Sequence, residues 1–179
     1  MATAFIGLGS NLEQPAQQIT QALNQIADIQ DTQLIAWSHL FETPALPPKD
    51  NSGRYFDKQQ PNYLNACAKV STTLTPFALL QQLQDIETTA GKTRQALEWA
   101  PRVLDLDLLL FDQQCIHTVS LILPHPEMTV RDFVLMPLLQ LEPTLKMPDG
   151  TGLKFHLEQL NKTRPSAIKT LYKPELNLK

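Results

Sequence analysis

At 179 residues the chain is long enough to bury a core of its own and short enough for residues 1–179 to form a single domain. Its 18 acidic against 15 basic residues leave a formal net charge of −3, which argues against non-specific binding of nucleic acid, and 42% hydrophobic residues argue against disorder. Cys67 and Cys115 stand far apart without a C-x-x-C pair and read as reduced thiols with no metal role, and no apolar run reaches membrane-spanning length.

The N-terminus, MATAFIGLGSN, lacks the basic start and apolar stretch of a signal peptide, so a cytoplasmic protein is expected. Residues 3 to 8 read as a buried strand ending in a turn at Gly9-Ser10. Asn11 is expected to cap a helix, with Gln14 in capping-box position and Pro15 in the first turn. Within that helix Ile19, Ala22, Leu23 and Ile26 form one apolar stripe. Residues 34 to 42 read as a second strand. From Pro44 to Pro61 four prolines and a Ser-Gly pair interrupt any regular element, so this stretch is expected to be a long functional loop. Residues 63 to 72 resume strand alternation, with Leu64, Ala66, Ala68 and Val70 on one face and Tyr63, Asn65 and Lys69 on the other.

Thr75-Pro76 marks a second helix start, and Gly91 suits its end. Residues 92 to 101 have no clean period and read as a second loop. A fourth strand, PRVLDLDLLLF, follows, then a strand over 115 to 123 and a helix from 129 to 141 broken by Pro137. A turn at 148–150, a short helix near 157–160 and a last strand at 168–172 complete the reading. The core order is therefore βαββαβ: an α+β, ferredoxin-like core with both helices on one face of an antiparallel sheet and additional C-terminal elements. The opposite face is left for a site.

The fourth strand carries the strongest chemical signal. Alternation sends Leu104, Leu106, Leu108 and Leu110 toward the helices, and Val103, Asp105, Asp107, Leu109 and Phe111 to the open face. Aspartate is a poor strand residue, so two of them on one open face need a reason. Paired hard carboxylates suit Mg²⁺ carried with substrate phosphates, and Lys92, Arg94 and Arg102 supply cations close by in sequence. A solvated strand face is the bland alternative. Gly7-Leu8-Gly9 joins strand to helix but lacks the third glycine and the lysine of phosphate loops, so a structural turn is expected. His125, between two prolines, is either a phosphate donor or a turn histidine. Arg131 and Phe133 lie two apart near a helix start, where a regular turn would let only one face a given pocket.

The motifs GLGSN, TPAL, NYLN, QDIETTAGKTR, WAPRVLDLDLLLF and LPHPEMTVRDFVLMPL occur in that order from residue 3 to about 150. Together they resemble the 6-hydroxymethyl-7,8-dihydropterin pyrophosphokinase family of folate biosynthesis. The resemblance implies transfer of the β,γ-pyrophosphoryl group of ATP, the co-substrate, to the pterin hydroxymethyl oxygen, with AMP released. It implies two Mg²⁺ ions held by Asp105 and Asp107, with Lys92 and Arg102 around the transferring group. Pterin contacts are implied for Thr43, Pro44, Leu46, Tyr63, Asn65 and Phe133. ATP contacts are implied for Gln84, Glu87, Arg94, Trp99, Arg102, His125 and Arg131. Both loops are implied to close over the substrates. The chain departs from the family at Lys92, Glu98, Ala100 and Pro126, and its first loop is longer. The expected partners are ATP and the pterin, with no nucleic acid and no membrane, and a monomer is expected. The alternative of another class, an RNA-binding module on the same βαββαβ frame, fits poorly with acids on the open face and a net negative charge.

Overall fold

The computed structural model describes residues 1–45, 60–91, 101–163 and 166–178. Its centre is a sheet of β1 (Ala2–Ser10), β2 (Thr32–Trp37), β3 (Phe41–Thr43), β4 (Tyr63–Thr72), β5 (Asp105–Phe111) and β8 (Lys169–Thr170). The strand order is β5-β1-β4-β3-β8, with β2 also on β4, and every pairing is antiparallel. Helices α1 (Pro15–Ala27) and α2 (Pro76–Thr89) pack on one face, as the βαββαβ order requires. Ile19, Ala22, Leu23 and Ile26 of α1 and Leu79, Leu83 and Ile86 of α2 meet Ala66, Ala68 and Val70 of β4 in the main core. Burying a side chain of this size is worth ~1.5–3 kcal/mol, so this face carries most of the stabilisation.

The second face is half covered, not bare. Helices α3 (Asp132–Leu141) and α4 (Leu153–Thr163) close part of it, burying Leu135, Leu138 and Leu153 against Phe5, Cys67, Leu109 and Leu110. The site occupies the remainder. Pro137 does not break α3. It lies buried inside the helix, and the bond it forgoes is the one its missing N–H would give the Phe133 carbonyl.

Strict alternation fails once in β5. The register against β1 shifts between Phe5 and Ile6, so Leu109 and Leu110 both reach the α3/α4 side while Phe111 returns to the α1/α2 core. This reverses the expected faces of Leu110 and Phe111; an extra residue in one strand of a ladder turns the following side chains over. The bulge falls after the two aspartates and leaves their alternation intact.

Several boundaries also differ from expectation. The second strand splits at Ser38, whose Oγ accepts from Cys67 N at 2.9 Å while its own N–H donates to Cys67 O at 2.9 Å. A hydroxyl thus replaces a main-chain acceptor, and the ladder is interrupted. Residues 115–123 form a small hairpin of β6 (Ile116–His117) and β7 (Ile122–Leu123), closed by Leu121 N donating to Thr118 Oγ1 at 3.0 Å. β8 is two residues long, not five.

Two helix caps were expected and one forms. Thr75 Oγ1 accepts from Ala78 N at 3.2 Å at the start of α2, and Gly91 follows that helix at φ +90°. At α1 the N-cap is Gln14, in left-handed conformation and without a side-chain bond. Asn11 instead reaches across the molecule. Its Oδ1 accepts from Arg102 N at 2.8 Å, and its Nδ2 donates to Gln60 Oε1 and Pro61 O, each at 3.1 Å. The main chain there is already spoken for, because Asn11 N donates to Arg102 O at 3.1 Å. Thr75→Ala is expected to lower unfolding stability by about 1 kcal/mol, the usual worth of a cap. Asn11→Ala, which removes three side-chain hydrogen bonds of a buried amide at once, should cost more, by about 2 kcal/mol or above. Urea unfolding of the two variants in parallel checks the ranking.

Candidate active site

Cross-strand register builds the site. β1 lies between β4 and β5, and two rows run across all three strands: Asp105–Gly9–Asn65 and Asp107–Gly7–Cys67. The Gly7-Leu8-Gly9 segment is therefore strand, not the turn expected from its glycines, and β1 continues to Ser10. With no side chains at positions 7 and 9, the sheet forms the floor of a cavity of about 460 Å³. A Cβ at Gly7 would lie 3.3 Å from Leu109 Cδ1, and one at Gly9 3.6 Å from Asn65 Oδ1.

The walls bring together most of the candidate residues. Asp105, Asp107 and Arg102 line one side; Thr43, Pro44, Tyr63 and Asn65 line another. Arg131 and Phe133 both line it as well. The expectation that only one of them could do so assumed helical turn geometry. Arg131 instead precedes α3 with φ −119° and ψ 106°, and an extended residue can share a pocket with the helix that follows it. The Arg131 guanidinium carbon lies 5.7 Å from the Phe133 ring centroid.

Asn65 is nearly buried and held in place. Its Nδ2 donates to Thr43 Oγ1 at 3.0 Å and to Phe41 O at 3.4 Å. Glu87, one of the expected nucleotide contacts, is 4% exposed and accepts from Leu106 N at 2.8 Å. It is not among the cavity-lining residues; it pins β5 midway between the two aspartates. Gln84 lies exposed on α2 and is not among the cavity-lining residues. Leu46, Lys92, Arg94 and Trp99 lie outside the described residues, as do most of the two expected loops.

The charges are arranged as neighbours of opposite sign. Arg102 Nη1 meets Asp105 Oδ2 at 2.5 Å, and Arg131 pairs with Glu127, an acid on the cavity wall that sequence reading passed over. Burial would lower the pKa of Arg102, but Asp105, Tyr63 and Asp107 outweigh it and hold the guanidinium charged. Burial pushes the Tyr63 phenol up to about 12, with Arg102 opposing and Asp105 adding. His125 is lowered, first by burial and further by Arg131, against Asp107 and Asp105. Its Nδ1 is placed to accept from Glu127 N at 3.3 Å, and its backbone N–H donates to Leu109 O at 2.9 Å. A neutral ring with Nδ1 so engaged carries its proton on Nε2, which can serve an anion. Burial raises the Cys67 thiol well above its ordinary range, so this cavity-floor sulfur is a packing group and no nucleophile.

The arrangement is that of a ferredoxin-like enzyme domain whose cavity joins an aromatic, amide-lined end to a carboxylate–guanidinium cluster suited to phosphate. Comparison with known proteins gives the class a family. The family model for 7,8-dihydro-6-hydroxymethylpterin-pyrophosphokinase matches residues 5–143. A Haemophilus influenzae protein named 2-amino-4-hydroxy-6-hydroxymethyldihydropteridine pyrophosphokinase is 39% identical over 150 residues, covering 84% of this chain and 88% of that one. A Pseudomonas aeruginosa protein of the same name is 42% identical over 149 residues, 83% of this chain and 86% of its own. Among solved structures, wild-type HPPK-DHPS of Plasmodium falciparum matches with a TM-score of 0.68 at 14% identity, covering 96% of this chain and 48% of that one. That likeness speaks for the fold alone, and the chain spans under half of that longer polypeptide. The chain belongs to the 7,8-dihydro-6-hydroxymethylpterin-pyrophosphokinase family.

The Tyr63 phenol gives the site a pH signature. Its folded pKa, about 12, lies above the ordinary tyrosine value of 10.0, so the folded state holds the proton more tightly than the unfolded chain. The associated stability is present below pH 10 and is lost as pH rises toward 12. Alkaline titration of tyrosinate absorbance should show a late step in the wild type that Tyr63→Phe removes.

Proposed function

We propose that the chain transfers the β,γ-pyrophosphoryl group of ATP to the hydroxymethyl oxygen of 6-hydroxymethyl-7,8-dihydropterin, releasing AMP, and that residues 1–179 act as one cytoplasmic, monomeric pyrophosphokinase domain. The observation that carries this reading is the shared cavity: ring-binding and phosphate-binding residues face one space on the uncovered part of the sheet. Two flat walls, Tyr63 and Phe133, suit a heterocycle, and Asn65 with the β3 edge supplies fixed polar partners for its rim.

The donor chemistry fits Mg²⁺. Asp105 and Asp107 present hard oxygens on one strand face beside the cavity, and such ions take one or two carboxylates together with substrate phosphates. Asp105 and Asp107 would hold two of them, which when bound supply charge neutralisation along the polyphosphate. The chain's own residues do the rest. Arg102 and Arg131 bring guanidinium charge to the phosphates, and His125 offers its Nε2 proton. Glu87 acts through β5, by fixing the peptide between the aspartates. Lys92, Arg94, Trp99 and Gln84 are proposed as further nucleotide contacts, and Leu46 as a pterin contact. Asp105 also orients the hydroxymethyl group. The oxygen attacks the β-phosphorus and gives up its proton to solvent by way of Asp105, the bond to the α-phosphate's bridging oxygen breaks, and AMP leaves with that oxygen. Pyrophosphoryl transfer of this kind depends on alignment and electrostatics more than on covalent chemistry by the protein.

Asp107→Ala is expected to keep its urea midpoint near that of the wild type and to lose AMP formation from ATP and the pterin by about a hundredfold or more. Near-normal turnover in the folded variant would refute the assignment of the carboxylate pair.

A further inference from the structure

We propose that residues 169–176 form a positioning strap for the pterin end of the cavity, holding β3 so that Thr43 and Pro44 stay at its rim. The inference rests on the proposed function, because it concerns affinity for the pterin. The strap lies after the segment matched by the family model, which ends at residue 143.

β3 has three residues, and a strand that short is marginal on its own. One of its edges pairs with β4, where Thr43 lies opposite Tyr63 and Phe41 opposite Asn65. The other edge belongs to the strap. Phe41 pairs with Thr170 and Glu42 with Lys169. Just before β3, Leu171 N donates to Leu40 O at 2.8 Å and Leu40 N donates to Tyr172 O at 2.9 Å. Further back, Trp37 Nε1 donates to Pro174 O at 2.8 Å, and Lys173 Nζ lies 4.6 Å from the Trp37 ring centroid. Pro174 is buried, and Leu176 packs against the α1/α2 core. A single run of chain is thus fastened to Trp37, Leu40, Phe41 and Glu42.

What β3 carries explains why this matters. Asn65, the buried amide at the cavity wall, is oriented by Thr43 Oγ1 and Phe41 O, both on β3. Thr43 and Pro44 line the cavity themselves. Loosening the outer edge would lower the fraction of molecules with the rim assembled, and apparent affinity falls by that fraction. The phosphate-facing groups Arg102, Asp105, Asp107 and Arg131 come from β5 and from the residues before β5 and α3. The effect should therefore fall on the pterin and spare the nucleotide.

Leu171 allows a clean test in the full chain, because it is 37% exposed and its N–H is a defined donor. Leu171→Pro removes the bond to Leu40 O, and Leu171→Ala keeps it. Leu171→Pro is expected to raise the Kd for 6-hydroxymethylpterin about three- to tenfold, the worth of one hydrogen bond. The Kd for a non-hydrolysable ATP analogue with Mg²⁺ should stay within about twofold, and kcat at saturation should stay close to the wild-type value. Leu171→Ala should match the wild type. Folded Leu171→Pro protein with an unchanged pterin Kd, or with equal loss for both ligands, overturns the strap. Should that variant not fold, Trp37→Phe decides: it loses the bond to Pro174 and should weaken pterin binding alone, and unchanged binding overturns the proposal. Wild-type protein that binds no pterin would instead overturn the parent reading.

Discussion

The site depends on the register of β1 between β4 and β5. Gly9 aligned with Asp105 and Asn65, and Gly7 with Asp107 and Cys67, put acids, empty floor and amide on one face. Side chains alternate with period two, so a slip of one residue between β1 and β5 would bury the aspartates under α1 and α2 and lift leucines into the cavity, and a slip between β1 and β4 would turn Asn65 away from it. The register is therefore enforced by the hydrophobic core, because Leu106 and Leu108 can enter it only when Asp105 and Asp107 stay out. Stability and function are set by the same alternation.

β5 serves two environments in seven residues, and the bulge divides them. Its first half presents carboxylates; its second half presents Leu109 and Leu110 to α3 and α4. Without the extra residue, Leu110 would face α1 and α2, and Phe111 would be the group turned toward α3 and α4. Glu87 steadies the polar half from below by accepting the Leu106 N–H. A buried carboxylate used this way explains why α2 carries an acid on its buried face, where composition alone would call for a leucine. The charges above the sheet are already matched within the protein, Asp105 with Arg102 and Glu127 with Arg131. Under the proposed function, a polyphosphate entering with cations would exchange these pairs for others of the same kind, which would keep the desolvation cost of the charged cavity moderate.

Much of this was legible in the residues. The βαββαβ order, β4 over residues 63–72, the α1 stripe and the Thr75 cap follow from local periodicity and turn chemistry, and the structure holds them. The facing of Asp105 and Asp107 was legible too, because no bulge intervenes before Leu109. The misses share one cause: a tertiary partner overrode a local rule. Asn11 has good capping chemistry but finds better-placed partners in Arg102, Gln60 and Pro61. Ser38 interrupts a plausible strand because Cys67 offers it both a donor and an acceptor. Gly7 and Gly9 look like turn residues when the strands that would flank them are unknown. Glu127 carried no motif and becomes visible only once Arg131 is known to turn toward the same cavity.

Asn11 shows how the two ends of the cavity are joined. Its side chain holds the last residues of the first long loop, Gln60 and Pro61, and the residue that follows the second loop's sequence, Arg102. Pro61 lies two residues before Tyr63, a wall of the proposed pterin end; Arg102 is itself a wall of the proposed phosphate end. One buried amide thus fixes the distance between them. Tyr63 and Arg102 also sense one another electrostatically, since each perturbs the other's protonation. An acceptor oxygen and a phosphorus held by these two walls can stay in line only if the walls do not drift apart. Short hydrogen bonds from a residue at the end of the floor strand are a stiffer way to meet that requirement than long side chains reaching across the opening.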